Sequence, residues 1–204
     1  MYKKPVIVFE GIEGSGKTSH INFISNYLKR KGIKHLKIRE PGGNINSEKI
    51  RNLILNKNSN FNKNTDLLLY LAARSENIEL IKKNYNRKVI LIDRFTDSTI
   101  AYQHYGFGVN LKIIQVINKY LLKDIKINFT FLNIVNKKNM LERLKKRKKL
   151  NRYDKFDFSF YNKVQKGFVK LSKKKKNFYK IIDSNFEIDF NKKIILEKIK
   201  KLVK

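Results

Sequence analysis

The stretch Phe9-Glu10-Gly11-Ile12-Glu13-Gly14-Ser15-Gly16-Lys17-Thr18 constrains this chain more than any other. From Gly11 it spells G-x-x-x-x-G-K-T, whose backbone N–H groups cradle phosphates when it joins a strand to a helix. Both neighbours fit. Val6-Ile7-Val8-Phe9 is a short, largely β-branched run that reads as a buried strand. Ile21, Ile24, Tyr27 and Leu28 recur at helical spacing, which predicts a helix from Lys17 to Arg30, ended by Gly32. The turn therefore opens at a helix N-terminus, where amides and the helix dipole converge on one anion site. Gly11, Gly14 and Gly16 allow close backbone approach, and the whole loop, with Ile12, Glu13 and Ser15, is expected to line nucleotide phosphates. Lys17 is expected to reach the β- and γ-phosphates, and the Thr18 hydroxyl to bind Mg²⁺.

The rest of the chain alternates strand and helix signals. A second strand is expected at 35–38, running into Arg39-Glu40-Pro41-Gly42-Gly43, a turn with an arginine at its entrance that reads as a second anion contact or as a plain strand-to-helix turn. Ser47 and Glu48 open a short helix with Ile50, Leu53 and Ile54 on its buried side. Thr65 is expected to cap a long helix over 66–84, with Leu67, Leu68, Leu71, Ala72, Ile78 and Ile81 as a broad apolar surface. On it Tyr70 and Arg74, spaced i, i+4, put a ring beside a guanidinium on one face; taken alone they read more simply as a core tyrosine and a solvated charge. A buried parallel strand over 88–94 ends in Asp93-Arg94, and strand carboxyl ends are where open parallel sheets bind ligands. Asp93 thus stands where a metal-binding acid belongs. Residues 95–103 are dense in hydrogen-bonding groups, among them Ser98, Thr99, Tyr102 and Gln103. A helix over 111–122, a strand over 127–132, a basic helix from Met140 into residues 143–152, a helix over 154–172, a strand over 178–183 and a helix from Asn191 complete the chain. His104 has no second His or Cys at metal spacing and reads as a loop residue.

Composition narrows the class. The 204 residues suffice for one domain over 1–204 with a sizeable core, and no apolar run approaches the ~18 residues of a membrane span. The first five residues run straight into the first strand, with no room for a cleavable signal peptide, and cysteine is absent, so a cytoplasmic location is expected. Lys and Arg number 47 against 17 Asp and Glu, a net charge of +30. The lysines are spread over every element and form no stripe interleaved with aromatics. That favours compositional drift over a dedicated nucleic-acid surface, so neither a specific nucleic acid nor a membrane is an expected partner.

Strand, P-loop and helix followed by alternating strands and helices make an α/β three-layer P-loop fold, a five-stranded parallel sheet flanked by helices with right-handed crossovers. Asp93-Arg94-Phe95 followed by Ser98-Thr99-Ile100-Ala101-Tyr102-Gln103, together with Phe9–Gly14, Arg39–Gly43 and Ala72-Ala73-Arg74, resembles bacterial thymidylate kinase from about Val6 to Phe168. The resemblance implies ATP and dTMP as substrates, dTDP as product, Mg²⁺ as cofactor and a homodimer as assembly. It implies that Arg39 and Arg94 grip the dTMP phosphate, Tyr70 stacks on thymine, Arg74 and Thr99 bond its edge, Ser98 and Gln103 join the acceptor pocket, and Glu13 and Tyr102 lie near the sugar. With Glu13-Gly14-Ser15 in the loop, the chain is similar to those members that supply their arginine from a lid, expected here at about 145–155, with Arg147 and Arg152 beside Lys17 and Arg94 as the catalytic cations. The family's lid reads roughly Arg-Gly-x-x-Asp-Arg-x-Glu; Lys148, Asn151 and Asp154 replace its glycine, aspartate and glutamate. Two rival readings share the P-loop: a kinase for another nucleoside or monophosphate, and an NTPase acting on nucleic acid, which would use the +30 charge and would lack the small acceptor pocket.

Overall fold

Five strands pair in parallel in the order β2-β3-β1-β4-β5 in the computed structural model, which describes residues 4–123, 125–146 and 151–203. The strands are β1 (Val6–Gly11), β2 (His35–Arg39), β3 (Val89–Asp93), β4 (Phe129–Ile134) and β5 (Tyr179–Asp183). Central β1 is buried along its whole length, as a strand covered on both faces must be. Its alternate side chains serve two cores. Ile7 and Phe9 pack with Ile21, Ile24 and Leu28 of α1 (Lys17–Arg30) and Ile195 and Ile199 of α8 (Ile188–Val203). Val6 and Val8 face the other way, into a cluster with Ile78 and Ile81 of α3 (Lys63–Asn84). The expected three layers follow.

Register places the chemistry. Phe9 pairs with Asp93, and Arg39 with the same Asp93, so β1, β2 and β3 end at one level. The P-loop leaves β1 beside β3 on one side and β4 on the other, and every following turn opens on the same edge of the sheet.

Several boundaries differ from the sequence-based expectation. α3 starts at Lys63, because the Asn62 side chain, not Thr65, takes the free amides of Asn64 and Thr65. α2 (Ile45–Leu55) is capped by Asn44, and Leu53 on it is half-exposed rather than buried. Leu68 and Ala72 of α3 also face outward. Residues 100–106 wind as a π-helix after the single turn α4 (Thr96–Thr99), a form that recurs at functional sites. α5 (Leu111–Leu122) has the expected bounds, with Ile113 exposed. α6 (Lys137–Lys145) starts before Met140 and ends at Lys145, where the expected lid begins. The helix expected over 154–172 is two pieces: a 3₁₀ turn at Arg152–Lys155, closed by reciprocal Asn151 and Asp154 bonds, and α7 (Phe158–Lys174), capped by Asp157.

Candidate active site

The P-loop geometry follows from its glycines. Gly11 sits at φ +141°, and a Cβ there would stand 2.2 Å from the Asn133 carbonyl oxygen of β4, so only glycine lets the loop lie against that strand. Gly16 takes φ +83° as the residue before α1. Inside the loop, Ser15 donates to the Ile12 carbonyl at 2.7 Å, and the Lys17 ammonium donates to the same oxygen at 2.8 Å. Lys17 is buried; desolvation first, and then the Arg94 charge, push its pKa down to about 7. Thr18 Oγ1 donates to Asp93 Oδ2 at 3.1 Å, while Asp93 Oδ1 is buried with no partner. Two hard oxygens thus lie together at the helix start, one of them with open acceptor capacity, which suits a divalent cation.

Arg94 holds the other side. Its backbone lies at φ +66°, and its N–H bonds the Phe9 carbonyl at 3.0 Å. Its guanidinium donates to Gly11 O at 2.9 Å and to Glu13 Oε1 at 2.8 Å and lies over the Tyr102 ring. Tyr102 donates to the other Glu13 oxygen. Burial raises the Glu13 pKa, but Arg94, Lys17 and the Tyr102 hydroxyl outweigh it and hold the carboxyl below its ordinary range.

Beside this pair opens a cavity of about 220 Å³. Glu13, Lys17, Thr18, Asp93 and Arg94 line it, and so do Arg39, Tyr70, Arg74, Ser98, Thr99, Tyr102 and Gln103, so residues from five separate segments meet in one space. Arg39 is half-exposed and forked onto Glu48. Arg74 is 2% exposed, not a solvated charge: Nε donates to Glu40 Oε2 at 2.8 Å, Nη2 is ion-paired to the same oxygen at 2.8 Å, and Nη1 donates to Asn118 of α5 at 2.7 Å. Burial pushes the Glu40 carboxyl up, against the pull of Arg74. Gln103 Nε2 is buried without a partner.

A sequence model of the family described as "Thymidylate kinase" matches residues 9–195. The chain belongs to the thymidylate kinase family. It is 42% identical to a thymidylate kinase of Thermosipho africanus over 185 residues, 90% of this chain and 91% of the relative. It is 37% identical to one of a Sulfurihydrogenibium species, over 95% and 96% of the two chains. A crystal structure of thymidylate kinase from Ehrlichia chaffeensis superposes with a TM-score of 0.80 at 30% identity, covering 98% of this chain and 99% of that one. Thymidylate kinases are ATP-dependent nucleoside monophosphate kinases, so this chain is a phosphotransferase.

Family membership leaves the lid to be read from geometry. Arg147 lies outside the described residues. Arg152 does not line the cavity; it is ion-paired to Asp66 of α3, whose second oxygen takes the Tyr153 hydroxyl, and it borders a separate hollow next to Lys57 and Lys155. Among the described residues of this segment, Asn151 and Tyr153 reach the cavity. A second arginine on the P-loop, besides Arg94, is Arg143 of α6: it donates to the carbonyls of Gly14 at 3.0 Å and Ser184 at 2.6 Å. Sequence reading missed it, and missed Arg51, which lines the cavity and bonds the Pro41 carbonyl at 2.7 Å. Burial and then the neighbouring Arg39 charge lower the Arg51 pKa, with Arg94 adding to the effect, so three arginines crowd one corner.

Proposed function

We propose that this chain transfers the γ-phosphoryl of ATP to dTMP, giving dTDP. The observation that carries the reading is the single cavity that runs from Lys17 of the P-loop to Tyr70, Arg74 and the unpartnered Gln103 amide. A monophosphate fits the corner where Arg39, Arg51 and Arg94 crowd together. Their mutual repulsion is relieved by a dianion. A thymine ring against Tyr70 meets the donors of Arg74 and of Gln103. Arg74 has five N–H groups and donates two of them, to Glu40 and Asn118, and Gln103 offers its amide. That set suits the carbonyl oxygens of thymine or uracil and opposes the amino group of cytosine.

The acceptor phosphate oxygen is already a nucleophile near neutral pH, so the protein need supply no general base. Lys17, from the donor side, and Arg94, from the acceptor side, hold the two phosphates in line and neutralise charge around a loose transition state. Thr18 and Asp93 would hold Mg²⁺, which neutralises the β- and γ-oxygens. Ser98, Thr99 and Tyr102 orient the nucleoside, and Glu13 fixes both Arg94 and Tyr102. With Arg152 held on Asp66, contact of Arg152 with the phosphates requires that this ion pair open. α5 carries Ile113, Val116 and Tyr120 exposed at i, i+3 and i+7, and Leu68 on neighbouring α3 adds to them. This face is the one we assign to a homodimer, with sedimentation velocity as its check. No helix among the described residues is long and apolar enough to cross a membrane. The reading carries with it a cytoplasmic location, where both nucleotides are available.

The test is an ADP-release assay with Mg-ATP and dTMP, dUMP or dCMP. Turnover is expected with dTMP and dUMP, and dCMP should be poorer in kcat/KM by at least about tenfold, the cost of one unsatisfied buried donor. Equal use of dCMP and dTMP refutes the base pocket, and no turnover with any of them refutes the activity.

A further inference from the structure

Glu10 touches neither the cavity nor the P-loop anion site, yet it is 1% exposed at the end of the central strand. Its carboxylate crosses from β1 to the segment after β3. Oε1 accepts the N–H of Phe95 at 2.9 Å and of Ser98 at 3.1 Å, and Oε2 accepts the Ser98 hydroxyl at 2.5 Å. The backbone clasped in this way is unusual. Arg94 has the left-handed φ of +66°. Such a dihedral in a non-glycine residue persists only where the surroundings over-determine it. α4 is a single turn and cannot hold itself. Apart from the bond between Arg94 N–H and Phe9 O, the backbone ties of this turn to β1 all run through Glu10.

Burying a carboxylate at this point is costly. Desolvation pushes Glu10 up to about 7, and Asp97 on α4 adds to the rise. The Ser98 and Phe95 bonds and Arg94 pull the other way, and Lys17 of α1 and Tyr179 of β5 also face the group. A group that raises the cost of folding and meets no substrate is kept for what it holds.

We infer that Glu10 is a positioning residue for the acceptor phosphate: it clamps the Arg94–Ser98 turn to β1, so that the Arg94 guanidinium stays on Gly11 and Glu13. This rests on the reading that Arg94 grips the monophosphate. The Arg94 side chain has three contacts of its own, but they fix its tip. Glu10 fixes the root from which that tip projects. A carboxylate serves both amides and the hydroxyl as an acceptor. A carboxamide has one acceptor oxygen for the two amides, and its NH₂ would reverse the Ser98 bond, so the short charge-assisted bond to the carboxylate is lost.

The experiment is Glu10→Gln, alone and combined with Arg94→Lys, assayed with dTMP and Mg-ATP. In the single variant kcat/KM for dTMP should fall about tenfold, on the scale of one lost bond to a charged group, with KM for ATP within about twofold. In the Arg94→Lys background the same change should cost less than about twofold, because the group it positions is already gone. A fall shared equally between ATP and dTMP, or a full tenfold loss in the Arg94→Lys background, overturns the proposal. So does a variant that melts earlier but keeps its kcat/KM for dTMP. Should Glu10→Gln fail to fold, hydrogen exchange on the wild type decides: the Phe95 and Ser98 amides should be protected as long as those of β1, and fast exchange at both overturns the clamp. If the wild type does not phosphorylate dTMP, the activity falls first; an active wild type with an unaffected Glu10→Gln variant removes only the clamp.

Discussion

Arg74 is where the proposed base recognition and the stability of the fold meet, and Arg74→Gln separates them. The guanidinium makes two hydrogen bonds of 2.7–2.8 Å, one to Glu40 and one to Asn118, and its Nη2 is ion-paired to the same Glu40 oxygen at 2.8 Å. Both members of the ion pair are almost fully buried, at 2% and 5% exposure. Glutamine removes the cation and leaves Glu40 buried beside neutral groups. Removing one partner of a buried pair costs about 3–5 kcal/mol, because the remaining charge has neither water nor counter-ion. For a chain of this length each kcal/mol is worth roughly 2–4 °C, so the melting temperature should drop by about 6–20 °C. The sign with pH is fixed. Glu40 is already pushed above its ordinary value by burial, and the loss of Arg74 removes the main opposing pull. A carboxyl raised in the folded state favours folding below its unfolded pKa and ceases to do so as pH rises through the folded one. The gap between variant and wild type should therefore narrow on acidification toward pH 4.5. Adding Glu40→Gln should recover at least half of the loss at pH 7, since no charge is then left uncompensated. Calorimetric melting of the wild type, the single and the double variant, each across pH, is the assay. A loss below about 3 °C, or a double variant no more stable than the single, refutes the reasoning. Kinetics belong below the lowered melting point, where the preference for dTMP over dCMP should shrink because the amide supplies an acceptor to the cytosine amino group.

Lys17→Ala should lower kcat at least ~10²-fold, the scale of one preorganised electrostatic donor, and near-normal turnover in the purified variant would overturn the P-loop assignment. Arg94→Lys keeps the charge but loses the fork, so kcat/KM for dTMP should fall well beyond any change in ATP affinity; equal losses would move Arg94 to the donor side. Because burial and Arg94 lower the Lys17 pKa to about 7, much of the free protein carries a neutral lysine at pH 8, and phosphates favour the ammonium form. ATP binding at pH 8 should then take up a proton, seen as a binding enthalpy that varies with the buffer's ionisation enthalpy; a buffer-independent enthalpy would sink this.

The sheet was legible, its strand order was not. Runs such as Val6–Phe9 and Val89–Ile92 are apolar throughout because both faces are covered, and that same uniformity hides which strand pairs with which. Helix ends suffered from surplus signals. Asn62 and Thr65 are both good caps, and the choice fell to the one whose side chain faces two free amides. The break at 156–157 was masked by Tyr153, Phe156, Phe158 and Tyr161, whose apolar spacing runs on across two separate caps.

At the site, legibility tracked contiguity. The P-loop, Arg39–Gly43 and Asp93–Gln103 each carry several polar groups in a row at a strand's carboxyl end, so the local sequence already states their company. Arg51, Asn118 and Arg143 arrive singly from helices. Arg143 stands in a stretch where lysine and arginine crowd nearly every position, and nothing in its neighbourhood distinguishes it from Lys145 or Lys146. Only the packing of α6 against Gly14 selects it: a Cβ on Gly14 would lie 3.1 Å from the Met140 carbonyl, and one turn later on α6 the arginine reaches the Gly14 oxygen. In a chain of charge +30 a functional arginine is camouflaged by composition, and the reverse holds for acids. With so few of them, Glu10, Glu13, Glu40 and Asp93 each stand out; the three glutamates engage the arginines or backbone that shape the cavity, and Asp93 takes the Thr18 hydroxyl at its edge. For a chain this basic, the scarce carboxylates are the better guide to where the acceptor cavity is built.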